Sequence, residues 1–151
     1  MDSIDLKILD LLQGNGRIKR NVIAEKVGLS IPSLSERIKK LEEQNYIEAY
    51  YAKLNRPKLG YDIMAFIQVL TESSKNYEKL TEKTINTPEI LECHSVLGEG
   101  SHILKVITKS RTDLEKLLAK IQSWPGVVRT ITSFVLSTNK ETTNINLNLK
   151  E

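Results

Sequence analysis

The sequence predicts an α+β protein: an N-terminal winged helix-turn-helix domain over residues 1–58, then a ferredoxin-like βαββαβ sandwich over residues 59–151. Three observations predict it. Within Gly16–Glu43, two short stretches of helical apolar spacing flank Gly28-Leu29-Ser30. A tyrosine-rich run, Tyr46–Leu54, follows directly and reads as a wing strand. Finally, residues 69–88 recur 37 positions later with eight identities in 20 positions. Val69 falls on Val106, Thr71 on Thr108, Ser73 on Ser110, Glu78-Lys79-Leu80 on Glu115-Lys116-Leu117, Lys83 on Lys120 and Pro88 on Pro125.

The first helix starts early. Asp2 can cap it, Asp5 stands in the capping-box position, and Ile4, Ile8, Leu11 and Leu12 form its apolar stripe. Gly14-Asn15-Gly16 ends it. Val22, Ile23, Ala24 and Val27 give the second helix a small apolar face, and Gly28 stands where a C-cap needs positive φ. Ser30 is a good N-cap for the third helix, and Pro32 lies in its first turn. Ile31, Leu34, Ile38 and Leu41 should then face inward. The motif core is about residues 20–39, and Asn55–Gly60 has the loop chemistry of a domain boundary.

Each copy of the repeat reads strand, helix, strand. The first is 61–71, 75–86 and 89–97; the second is 102–108, 111–123 and 127–137. Two such units in tandem make a βαββαβ sandwich with helices on one face of an antiparallel sheet. Ile63, Met64, Phe66, Ile67, Val69 and Leu70 load both sides of the first strand, and Val96, Leu104, Val106, Ile131, Phe134 and Val135 add more apolar surface. Helices cover one side only, so the bare side is expected to pair with a second copy as a homodimer. Thr143 to Leu149 alternates Ile145, Leu147 and Leu149 with asparagines and is expected to add an edge strand.

Charge is concentrated rather than general. The chain is only +3 with a pI near 8.9, but Arg17–Lys40 holds seven basic residues against two acidic ones, a net +5 in 24 residues. Such concentration suits phosphate, because neutralised phosphates release counterions. The outer side of the third helix carries Ser33, Ser35, Glu36, Arg37, Lys39 and Lys40, a surface fit for a major groove. Tri-helical folds also serve protein contacts, and a surface lysine such as Lys40 can be merely solvated.

Other chemistry is scarce. A single cysteine, Cys93, excludes an internal disulfide and a multi-cysteine zinc site. Cys93 and His94 are strand neighbours on opposite faces, so they cannot share a ligand. No phosphate loop, HExxH or dinucleotide fingerprint occurs, and no catalytic residue, metal or cofactor is expected. No stretch approaches the ~20 apolar residues of a membrane span. The start, MDSIDLKIL, is acidic where a signal peptide is basic, which points to the cytoplasm.

On DSIDLKILDLLQGNGRI and AEKVGLSIPSLSERIKKLEEQNYIEAYYAKLNRPKLG, the chain resembles the Lrp/AsnC (feast/famine) family of transcriptional regulators. The resemblance covers residues 2–137, and its second part fits the family's RAM-type regulatory domain. It implies dimers paired through their sheets, often four of them in an octameric ring, on semi-palindromic double-stranded DNA. It also implies an effector, usually an amino acid, bound between dimers. Ser30, Ser33, Ser35, Arg37 and Lys39 match the family's DNA-facing positions, with Arg37 foremost; Arg17, Arg20 and Lys40 are expected at phosphates.

The effector loop departs from the pattern. Where many members carry glycine, acidic, aromatic, aspartate and aromatic residues, this chain has Gly98-Glu99-Gly100-Ser101-His102. Serine at the aspartate position offers a neutral hydrogen bond, roughly half as strong as a charge-assisted one. Gly98, Glu99, Gly100 and Ser101, with Thr132 and Ser133 as walls, are the expected effector residues; a plain β-turn is the competing reading. A small-molecule sensor with weak DNA binding and a nucleoid-like architectural protein are the alternative functions.

Overall fold

A computed structural model describes residues 1–147. The chain forms two compact units, Met1–Lys53 with residues 140–147, and Leu54–Asn139. In the first, α1 (Ser3–Gly14), α2 (Arg20–Val27) and α3 (Ile31–Glu43) close around Ile8, Ile23, Ala24, Leu34, Ile38 and Leu41. Asp2 caps α1 in a reciprocal capping box: the Asp5 N–H donates to Asp2 and the Asp2 N–H to Asp5, each at 2.9 Å. Such a box satisfies N–H groups the first turn leaves unpaired.

Three expectations about this unit are corrected. Ile31 is 50% exposed, because it stands in the first turn of α3, beyond the reach of the core that starts at Leu34. Tyr46–Leu54 forms no strand: past a turn at 44–47 it has no ladder partner among the described residues, and a lone segment needs a neighbour to become a sheet. Residues 143–147 add no edge strand either. Instead the Gln13 amide grips Ile145 through two 2.9 Å hydrogen bonds, its Nε2–H to the carbonyl and its Oε1 from the Ile145 N–H, while Lys53 meets Glu141 at 2.8 Å. A side-chain amide thereby satisfies the backbone pair that a neighbouring strand would have taken. Leu149 lies outside the described residues.

The second unit holds β1 (Ile63–Thr71), α4 (Tyr77–Ile85), β2 (Ile90–Ser95), β3 (His102–Thr108), α5 (Arg111–Gln122) and β4 (Val127–Phe134). The sheet is antiparallel in the order β2-β3-β1-β4. Ala65, Ile67, Val69, Leu104 and Val106 face Leu80, Leu117, Ile121 and Trp124 in one core.

The sequence repeat is visible in this packing. Ile67 and Leu104 are 37 residues apart and are also register partners across β1 and β3, so a local two-fold axis runs between them. Repeat mates Val69 and Val106, Leu80 and Leu117, Thr84 and Ile121, and Thr87 and Trp124 are all buried. Even the irregularities obey the axis. β2 bulges at Leu91 and β4 at its mate Val128, and the extra residues project outward, 48% and 68% exposed. The sheet's other face presents Phe66, Gln68, Leu70, Ile103, Ile107 and Ile131 by register, with Lys105 paired to Glu92 at 3.0 Å.

Ile67→Ala and Leu104→Ala should each lower the unfolding free energy by about 2–5 kcal/mol, since both truncate fully buried side chains on the axis. Denaturant melts of the two variants check this; losses below about 1 kcal/mol would place the core elsewhere.

Candidate nucleic-acid interface and effector loop

The turn between α2 and α3 is built by two residues. Gly28 ends α2 in the left-handed region, φ 69°, and its N–H returns to the last carbonyls of that helix. No heavy atom lies within 4 Å of where a Cβ would stand, so the requirement is conformational, not steric. Ser30 then caps α3: its Oγ accepts from the Ser33 N–H at 3.3 Å and lies 2.9 Å from the Ser33 hydroxyl. The hydroxyl expected at a base is therefore already a helix cap.

α3 is amphipathic in the required sense. Leu34, Ile38 and Leu41 are buried; Pro32, Ser33, Glu36, Lys39 and Lys40 are exposed, and Ser35 is half-buried on one flank. Lys39 has Glu43 at 3.6 Å, a loose helical pair. Arg17 lies in the loop before α2 and Arg20 opens α2; both are exposed. Lys19, the N-cap residue of α2, makes no side-chain cap hydrogen bond. Two cations at the positive end of a helix dipole are unfavourable until an anion joins them. Tyr50 donates to Glu42 at the foot of α3 at 2.9 Å. Burial, and then Glu42, push its phenol up to about 12.

Arg37 departs from expectation. Its Nη1 donates to Asp2 Oδ2 at 2.8 Å and to Asp5 Oδ1 at 2.7 Å, the two carboxylates of the α1 capping box. The Asp2 carboxyl is held below the ordinary range, first by the Asp5 N–H and then by Arg37. Its stabilising effect is present above the usual aspartate pKa and is lost as pH falls through the lowered one. The sequence signal was available in outline: Asp2 and Asp5 are adjacent on a helix, and α3 packs on α1, but the pairing spans 32 and 35 residues.

The loop between β2 and β3 is pinned rather than open. The Ser101 N–H and Oγ–H both donate to the Val69 carbonyl, at 2.9 and 3.1 Å. Gly100 is buried, and a Cβ there would stand 3.3 Å from that same oxygen. With its one hydrogen committed, Ser101 Oγ must accept from His102 Nδ1–H at 2.9 Å. Neutral His102 then accepts at Nε2 from Ser95 Oγ–H at 3.1 Å. Tyr77 meets the imidazole edge-on, with ring centroids 4.7 Å apart. In the sequence His102 is only the last residue of the loop motif; its role as the anchor of this loop emerges from the fold. Glu99 is exposed at the tip.

Thr132 and Ser133 do not complete a shared wall. Thr132 stands opposite Ile67 on the helix-covered side, and Ser133 opposite Phe66 on the other. Strand neighbours cannot line one pocket, and Thr132 lies two positions, about 7 Å, along β4 from Thr130, which pairs with Val69.

The two units define a DNA-binding regulator joined to a small-molecule domain of βαββαβ topology. The comparisons agree. Residues 1–48 match a winged helix-turn-helix DNA-binding model, and residues 64–145 match the Lrp/AsnC ligand binding domain. A transcriptional regulator of Pyrococcus furiosus, FL11, is 35% identical over 145 residues, covering 96% of this chain and 95% of its own. The Bkd operon transcriptional regulator of Pseudomonas aeruginosa is 31% identical, covering 90% and 91%. Among solved structures, the Neisseria meningitidis regulator NMB0573 in complex with L-Met superposes with a TM-score of 0.90 at 31% identity, covering 98% and 97%. AsnC of Escherichia coli superposes at 0.88 and 28%, covering 95% and 97%. The chain belongs to the Lrp/AsnC family of DNA-binding transcriptional regulators.

Gly28→Ala should cost about 1–2 kcal/mol of stability, because alanine must occupy the left-handed region although nothing obstructs its methyl. Thermal unfolding tests it; an unchanged midpoint would show the turn relaxing. Burial pushes the His102 imidazole below its ordinary value. The stability it adds is then complete above about pH 6.5 and fades as pH falls through the lowered value. Nitrogen-detected NMR should find it Nδ1-protonated at pH 7 and titrating below about 6.5; the Nε2–H tautomer, or titration above that pH, would contradict the Ser95–His102–Ser101 chain.

Proposed function

We propose that this regulator binds semi-palindromic double-stranded DNA as a homodimer, or as a ring of such dimers, under the control of an amino acid. The observation that carries the DNA reading is the polar face of α3, held outward by the Gly28–Ser30 turn. Ser33, Lys39 and Lys40 lie on that face and Ser35 on its flank, while Arg17 and Arg20, exposed before and at the start of α2, suit backbone phosphates. Exposed Ile31 joins them, because an apolar side chain at the start of a recognition helix suits a thymine methyl. Among the described residues no helix is long and apolar enough to cross a membrane, and a chromosomal partner places the work in the cytoplasm.

The partly apolar sheet face supports pairing, and pairing supplies two recognition helices for two half-sites. Exposed Leu91 and Val128, on the two edge strands, offer contacts outside that face and support assembly of dimers into a ring of four. For the effector, the pinned loop Gly98–Ser101 leaves Glu99 as the carboxylate available to an ammonium group, while Ser101 contributes an acceptor lone pair at most. Thr132 or Ser133 can line that site, but not both.

Selection of bound duplexes from a random pool, repeated with each common amino acid, tests the reading. The selected DNA should carry two inverted half-sites about 10 base pairs apart or a multiple of that, and at least one amino acid should shift its retention. No enriched sequence would defeat the DNA reading. An enriched sequence that no amino acid affects would defeat the effector reading alone.

A further inference from the structure

Arg37 looks at first like the base-reading arginine of α3, yet its surroundings point inward. It follows buried Leu34 by three residues and precedes buried Leu41 by four, which puts it at the margin of the apolar stripe. The outward face, around Pro32, Glu36 and Lys39, is on the far side of the helix. At that margin the guanidinium meets α1. One nitrogen, Nη1, makes both bonds, to Asp2 and to Asp5, so both of its hydrogens are spent and the end-on fork that reads guanine is closed. Asp5 is the more sheltered partner, its side chain only 16% exposed. The same two carboxylates cap α1. Arg37 thus joins the recognition helix to the start of α1 through groups that are already fixed in place.

We infer that Arg37 is a positioning residue: with Asp2 and Asp5 it sets the orientation of α3 for DNA, and it does not read a base. The inference rests on the DNA reading above and adds a device to it. Positioning matters because a recognition side chain must be held to within about 0.5 Å and 10–20° of its productive geometry. The Gly28 turn fixes one end of α3 and the apolar stripe fixes its depth. The Arg37 pair resists rotation about the helix axis.

The sign of the carboxylate effect separates the possibilities. Removing a negative charge from a DNA-binding unit ordinarily tightens binding, since phosphates repel it. If Asp2 and Asp5 hold α3 in place, their removal weakens specific binding instead. Lysine supplies a further contrast. Both bonds go to a single nitrogen, so a lysine ammonium, with three donors on one atom, can restore them without the planar fork.

The experiment measures affinity of the full chain for the best duplex selected by the unaltered protein and for a scrambled duplex of the same composition. Arg37→Ala and Asp5→Asn should each lower affinity for the selected duplex by about tenfold, with a much smaller change on the scrambled one. The double variant should be little worse than either single, and Arg37→Lys should stay within about threefold of the unaltered protein. A variant that merely unfolds lowers both affinities by one factor, which the ratio of the two detects; Asp2→Asn, at the more exposed carboxylate, gives a milder disturbance of the same pair. The inference is overturned if Asp5→Asn binds the selected duplex as tightly as before or tighter. It is equally overturned if Arg37→Lys loses as much affinity for the selected duplex as Arg37→Ala does. Failure of the unaltered protein to select any sequence would appear before any variant is measured, and would remove the DNA reading itself.

Discussion

One guanidinium nitrogen, Arg37 Nη1, ties the helix that must meet DNA to the helix that opens the chain. Its two bonds are worth more than an exposed ion pair, because Asp5 is largely screened from solvent and both carboxylates are held by the cap they form. The apolar stripe of α3 is only three residues wide, Leu34, Ile38 and Leu41, and non-directional packing alone leaves rotation weakly specified. Charged hydrogen bonds supply the direction. The left-handed Gly28 and the Ser30 cap fix where α3 begins, so the helix is constrained at its start, along its buried stripe and at its margin.

The second unit works on a different principle, internal duplication. A two-fold axis between Ile67 and Leu104 relates core residue to core residue and bulge to bulge. Both copies place their helices on the same side, so the duplication that fills one face leaves the other without a cover. That asymmetry is why the chain is proposed to pair, and pairing is what turns one short recognition helix into two. The β2–β3 loop sits at the end of this sheet, anchored to β1 through Val69 and to β2 through the His102–Ser95 bond. A loop so anchored is tied to two strands at once.

Local chemistry was legible in the sequence and non-local chemistry was not. Asp2 and Asp5, Gly28, Ser30 and the 37-residue repeat each act over a few residues or recur along the chain, and all appear where they were read. Tyr46–Leu54 has strand composition but finds no ladder partner among the described residues, and composition does not report partners. Ile31 fits the apolar spacing yet lies one turn before the core begins. Alternating Ile145 and Leu147 suggested a strand, while Gln13, 132 residues before Ile145, took the Ile145 backbone instead. Arg37 reads in the sequence as a DNA contact, and its two partners on α1, 35 and 32 residues away, are visible only in the fold. In the β2–β3 loop, the commitment of Ser101 to the Val69 carbonyl joins residues 32 apart and required the fold.

The most direct test of these constraints is an experimental structure of the full chain bound to a selected duplex. It should show α3 in the major groove with Ser33 and Lys39 toward base edges, and Arg37 Nη1 still bonded to Asp2 and Asp5. An Arg37 guanidinium released from both carboxylates and seated on a base would contradict the central claim that this residue holds the helix and leaves the reading to its neighbours.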